Sequence, residues 1–213
     1  NCILMGGNTD FSGGNICQVG GSLTAENCTF SHGVSNHASS NGGGNISLLG
    51  AAASLKGCTL QNGYAANFGG NLLSTGSSLL VEDSRFASGT ASRGGNLYLG
   101  SGITDATLKN VEIPGDVSCF TKNLSLEGVV RIGLLSNGMR LGSSSAPVAV
   151  DAQKLEAGSE IYVDATGTYT NGGESYFKGA LRTVLNGAEA SQAADGEIGG
   201  YCPHCGQQVA WTA

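Results

Sequence analysis

Charge is what this chain has least of: Asp, Glu, Lys and Arg make up 12% of its 213 residues, against roughly 25% in an ordinary globular domain. The 10 Lys and Arg form no cluster and the formal net charge is −6, which argues against nucleic acid as a partner, because phosphate binding needs a concentrated basic surface. No apolar run approaches the ~18 residues of a membrane-spanning helix. The 7 cysteines, an odd number without paired spacing, argue against a disulfide framework. Helical periodicity is lacking as well. Apolar residues alternate in short runs, the pattern of strands, and 176–186 is the nearest approach to a helix. The chain opens at Asn1, inside a repeat and without a leader or initiator Met, and stops at Ala213 soon after a cysteine pair. It reads as a slice of a longer protein with further modules, and so carries no information on targeting.

What is abundant is glycine, 36 residues in all, more than twice the usual share of about 7%. Much of it is ordered into a repeat. Gly-Gly-Asn recurs at 13–15, 43–45, 69–71 and 94–96, each time followed by Ile or Leu. A second anchor keeps step with it: Cys28-Thr29-Phe30-Ser31-His32-Gly33 matches Cys58-Thr59-Leu60-Gln61-Asn62-Gly63 and Ser84-Arg85-Phe86-Ala87-Ser88-Gly89, with Cys2-Ile3-Leu4 before and Val111-Glu112-Ile113 after. These copies lie 26, 30, 26 and 27 residues apart. A period of that size marks a solenoid, in which one supersecondary unit buries its apolar face only by stacking on its neighbours.

Aligning the copies gives columns. Leu23, Ala53, Leu79 and Ala106 fall together, as do Ala25, Leu55, Val81 and Leu108; Phe30, Leu60, Phe86 and Ile113; and Ile16, Ile46, Leu72 and Leu97. These are the expected core of a parallel β-helix, whose strands lie about 4.8 Å above one another. Between the second and third columns the alternation breaks at Asn27, Gly57, Asp83 and Asn110, residue types that tolerate left-handed backbone, so a tight turn is expected there. Just before that turn the sign of charge alternates, Glu26, Lys56, Glu82, Lys109, which predicts an exposed ladder of opposite charges.

With these columns in place, the repeat resembles that of bacterial right-handed parallel β-helix surface proteins of the pectin-lyase-like class, with Gly-Gly-x-Ile repeats as in polymorphic outer-membrane adhesins. The resemblance covers residues 1–115. This chain differs in having Asn15, Asn45, Asn71 and Asn96 where those repeats often carry Ala. The fold expected is all-β: a right-handed parallel β-helix (solenoid) over 1–115, a β-rich closing segment of degenerate rungs over 116–186, a Gly/Ala/Ser/Asp-rich linker over 187–200, and a truncated Cys-x-x-Cys half zinc knuckle over 201–213.

Candidates for chemistry are few. Cys202 and Cys205, in Cys-Pro-His-Cys-Gly, have the spacing to bind zinc, with two ligands still to be supplied; a redox or unmetallated pair is the alternative reading. The segment resembles knuckles that separate repeated modules in large bacterial surface proteins. His32 and His37 sit in the longest loop, Ser31 to Gly42, and Asp83, Arg85 and Arg93 form the one charged group in the central rungs; these five are the weak ligand-binding candidates. Cys2, Cys28 and Cys58 share an inward column and read as apolar packing. The two Asn columns offer amides to a glycan or, alternatively, to the backbone of stacked turns. No catalytic residue is assigned. The function expected is a non-catalytic structural or adhesion module, extracellular or on the bacterial surface, with glycans or host and cell-surface ligands as partners. The alternative, which the resemblance also implies, is a polysaccharide lyase or hydrolase.

Overall fold

The computed structural model describes residues 1–36, 42–136, 138–142, 148–156 and 158–162, together with a few short strands between 177 and 211. The described elements are strands, with no helix among them, and those up to Phe177–Lys178 wind into a parallel β-solenoid. Each turn contributes a strand to each of three sheets. The first sheet holds Ile16–Val19, Ile46–Leu49, Leu72–Ser74, Leu97–Leu99, Val117–Cys119 and Met139–Leu141. The second runs from Ser22–Glu26 through Ala52–Lys56, Ser78–Glu82, Asp105–Lys109, Asn123–Gly128 and Ala149–Leu155 to Phe177–Lys178. The third stacks Ile3–Met5, Thr29–Ser31, Thr59–Gln61, Arg85–Ala87, Glu112–Ile113, Arg131–Ile132 and Glu160–Ile161. A short fourth sheet of Asn8–Thr9, Val34–Ser35 and Tyr64–Ala65 fills one corner of the early turns.

The registers are those of the aligned columns. Leu23 pairs with Ala53, Ala53 with Leu79 and Leu79 with Ala106; Phe30 pairs with Leu60 and Leu60 with Phe86; Ile46 lies between Ile16 and Leu72. Stacking equal on equal puts Phe30, Leu60, Phe86, Ile113, Ile132 and Ile161 into one buried file, each side chain worth about 1.5–3 kcal/mol of burial. The three sheets continue past residue 115 without interruption: Val117 pairs with Leu97 and Met139 with Val117. The turn from Asp105 to Asn123, which lacks both Gly-Gly-Asn and the fourth sheet, is shorter at 18 residues, and the next, from Asn123 to Ala149, is again 26.

Each letter of Gly-Gly-Asn has its own cause. The first glycine is left-handed, with φ of 73° at Gly13 and 74° at Gly43, where a side chain would strain the backbone. At the second, closeness decides: a Cβ on Gly44 or Gly70 would lie 2.2 or 2.3 Å from the carbonyl oxygen of Gly70 or Gly95 in the next turn. The Asn is a buried amide. Asn45 Oδ1 accepts from Gly33 N at 2.9 Å and from Asn15 Nδ2 at 2.7 Å, while its Nδ2 donates to Gln61 O at 2.9 Å and Asn71 Oδ1 at 2.8 Å. Asn71 repeats the arrangement, receiving Gly63 N at 3.0 Å and donating to Ala87 O at 2.9 Å and Asn96 Oδ1 at 2.7 Å.

The stretch 176–186 contains the strands Phe177–Lys178 and Thr183–Leu185. Within 187–211 the described strands are Ala188–Ala190, Gln192–Ala193, Glu197–Tyr201 and Gln208–Trp211, and the last two pair antiparallel. Cys202, His204, Cys205 and His37 lie outside the described residues.

Candidate ligand-binding site

The corner between the second and third sheets is built by a file of left-handed residues: Asn27, Gly57, Asp83, Asn110 and Gly128, with φ between 49° and 66°. Asn and Asp adopt this backbone at less cost than most side chains. The same corner brings two of the predicted residues together. Asp83 and Arg85 line a shallow groove of about 410 Å³ with Asn110, Glu112, Val129 and Arg131. Asn110 Nδ2 donates to Asp83 Oδ1 at 3.0 Å, Arg85 Nε lies 3.4 Å from Glu112 Oε2, and Arg131 Nε donates to Gly158 O at 3.3 Å. Thr59, Arg85, Glu112, Arg131 and Glu160 form one outward file on the third sheet. The groove lies where the repeat is irregular. Three residues separate Glu127 from Arg131, whereas two separate Lys109 from Glu112, and the extra one is accommodated by Val129 N donating to Asn110 Oδ1 at 3.0 Å.

Alongside runs the predicted charge ladder, and it is longer than the four members read from the alignment. Glu26, Lys56, Glu82, Lys109, Glu127 and Lys154 stack in register. Glu82 bridges its neighbours, with Lys56 Nζ at 3.3 Å and Lys109 Nζ at 2.7 Å; Lys154 Nζ lies 2.8 Å from Glu127. Lys109, then Lys56, hold the Glu82 carboxyl below its ordinary range, and Glu82 and Glu127 push Lys109 and Lys154 up.

The other candidates are placed elsewhere. His32 is itself a corner residue, left-handed at φ 53° like Asn62 and Ser88 in the next two turns, and its Nε2 is 3.4 Å from Asn62 Nδ2. Arg93 lies at a different corner, its backbone bridged to Phe68. The amides of Asn15, Asn45, Asn71 and Asn96 face one another along the ladder, so the backbone reading of that file holds. The thiols of Cys28, Cys58 and Cys119 are buried and free; Cys28 Sγ donates to Glu26 O at 3.2 Å. Burial raises the Cys58 thiol and pushes Cys119 up to about 12. Among the described residues, no group of three or more His, Cys, Asp or Glu is placed to hold a metal ion.

Glu112 and Arg131 were missed as groove residues. A signal existed for Glu112, which aligns with Arg85 in the Cys-x-Phe file, but Arg131 follows a shortened turn that no motif marks.

The fold and its side-chain ladders define the class: a parallel β-solenoid whose turns are registered by stacked amides and alternating charges. No family profile, curated protein or solved structure matches the chain.

Proposed function

We propose that the chain is a non-catalytic solenoid module of a larger secreted or surface-exposed bacterial protein, one that holds and displays binding surfaces outside the cell, with glycans or cell-surface molecules as ligands. The observation that carries this reading is the commitment of polar side chains to one another. The amides capable of reaching a sugar are used up between turns, the carboxylates of Glu82 and Glu127 are held by lysines, and Glu112 is held by Arg85. General acid or base work needs a group free to take or give a proton within hydrogen-bond reach of a substrate. A ladder of mutually satisfied groups stabilises a rod instead.

The groove at Asp83, Arg85, Glu112 and Arg131 favours a second reading, a carbohydrate-active enzyme, because it is concave and lies at a break in the repeat. Incubating the 213-residue chain with neutral and acidic polysaccharides, and following reducing ends and unsaturated products, separates the two. The display module releases neither. Turnover that disappears in Asp83→Ala or Glu112→Ala would establish the enzyme in its place. For the tail, zinc and thiol assays on a chain extended beyond Ala213 test the knuckle expected at Cys202 and Cys205; absence of bound zinc would remove it.

A further inference from the structure

All four parallel sheets end at the same turn. Ile3–Met5, Asn8–Thr9, Ile16–Val19 and Ser22–Glu26 are each the terminal strand of their sheet, so each turns one row of backbone N–H and C=O groups away from the stack. Proteins ordinarily protect such edges with Lys, Pro or a covering element. These four strands carry neither Lys nor Pro, and Ile3, Met5 and Val19 are 75%, 66% and 72% exposed. The core is open here as well. Leu4, Ile16 and Leu23 are only partly buried, whereas Phe30, Ile46 and Ala53, their partners one turn on, are 1%, 0% and 8% exposed.

Two vacancies at this end have a defined chemistry. Asn45, Asn71 and Asn96 each accept twice at Oδ1, once from a glycine N–H and once from the amide of the preceding turn. Asn15 Oδ1 accepts from Gly7 N at 2.9 Å and, among the described residues, from nothing else. The position left open is the one that an Asn Nδ2 fills in the next three turns. The charge file has the matching gap. Glu82 is held from both sides by Lys56 and Lys109, but Glu26 is exposed and Lys56 has turned to Glu82, which leaves the Glu26 carboxylate without an ion pair among the described residues. A turn stacked on residues 1–26 fills both gaps if it brings an amide donor to Asn15 and an ammonium to Glu26.

A second copy of the chain does not supply both. Head to head it meets these edges antiparallel and breaks the parallel register; by its other end it brings turns in which Gly-Gly-Asn has already stopped, at residue 96. We propose that the end formed by residues 1–26 is a docking surface for a separate polypeptide segment carrying one turn of the same repeat, with Asn over Asn15 and Lys over Glu26. Recognition is strand addition on several sheets at once, the backbone giving affinity while the amide and the charge set the register. Residues 83–109 have the required pattern. Phe86, Leu97 and Ala106 belong to the files of Leu4, Ile16 and Leu23, Asn96 to that of Asn15, and Lys109 to that of Glu26.

Titrating the 213-residue chain with a labelled synthetic peptide of residues 83–109 tests it, read by fluorescence anisotropy and by alkylation of Cys2. Cys2 is exposed, while Cys28 and Cys58, which follow it in the same file, are buried. Saturable binding with severalfold slower Cys2 alkylation is expected. Lys109→Glu in the peptide weakens binding about tenfold, the reversal of an exposed ion pair. Glu26→Lys in the chain weakens the parent peptide likewise and restores the Lys109→Glu peptide, a rescue that a misfolded chain cannot give. Asn96→Ala in the peptide also weakens binding about tenfold, because Asn15 Oδ1 goes unfilled. Three results would overturn the proposal: no binding, binding that leaves Cys2 alkylation unchanged, or binding indifferent to the charge and amide changes. So would Cys2 alkylation that slows in the chain alone as its concentration rises, which assigns the end to a second copy. None of these results bears on turnover, so the non-catalytic reading stands or falls separately.

Discussion

An amide inside a protein is costly until all its hydrogen-bonding positions are used. Asn45 and Asn71 use four each, two as donor and two as acceptor. Replacing Asn71 by Ala orphans Gly63 N and one side of both neighbouring amides, and takes one of two donors from Ala87 O, which keeps Asn62 N. The expected loss is on the order of 3 kcal/mol or more, read from chemical denaturation; a loss below ~1 kcal/mol would mean that these bonds carry no weight. The cysteines give a check that needs no substitution. Cys2 and Cys17 are exposed, whereas Cys28, Cys58 and Cys119 are buried. A thiol reagent should therefore modify the first two quickly under native conditions and reach the other three only as the chain unfolds. Rapid labelling of Cys119, whose thiol burial pushes up to about 12, would contradict the packing of the first sheet.

At the scale of the element, the alternating file on the second sheet ties one turn to the next through side chains. Glu82 is held below its ordinary carboxyl range, so its contribution is present above about pH 4.3 and fades as pH falls through the lower folded value. Lys109 and Lys154 are held above theirs, so their contribution is complete below about pH 10.4 and is lost as pH rises through the higher folded values. Glu82→Gln should lower the midpoint of thermal unfolding between these limits, with the gap to the parent closing toward acid. A gap that persisted unchanged in acid would assign the effect to something other than charge. Much of this was legible beforehand, since an in-register parallel stack places aligned residues in contact, and alignment is something a sequence displays. Glu127 and Lys154 escaped because counting by Gly-Gly-Asn ends at Gly94–Asn96, after which one turn shortens to 18 residues and the next carries a register shift after Ser125. His32 illustrates the converse. Its alignment with Asn62 and Ser88 pointed to a left-handed corner, but a lone histidine in a long loop draws attention to its imidazole and away from its backbone. Arg131 reaches the groove through a one-residue irregularity at Val129, which no spacing rule announces.

For the whole molecule, the stack is a quasi-linear array in which each turn touches only its neighbours. Such arrays gain and lose units readily, yet the charge file sets a rule of parity. One turn carries Glu and the next Lys, so the true unit of growth is two. Excising residues 27–56 joins Glu26 to Gly57 and sets Glu26 against Glu82, a like-charge contact; excising residues 27–82 removes two turns and sets Glu26 against Lys109. Stability per remaining turn, measured by denaturant unfolding, should fall more for the single excision than for the double, and equal falls would show that parity is not enforced. A lineage of such rods would then change length by even steps, with odd ones surviving only where a neutral residue had first interrupted the alternation.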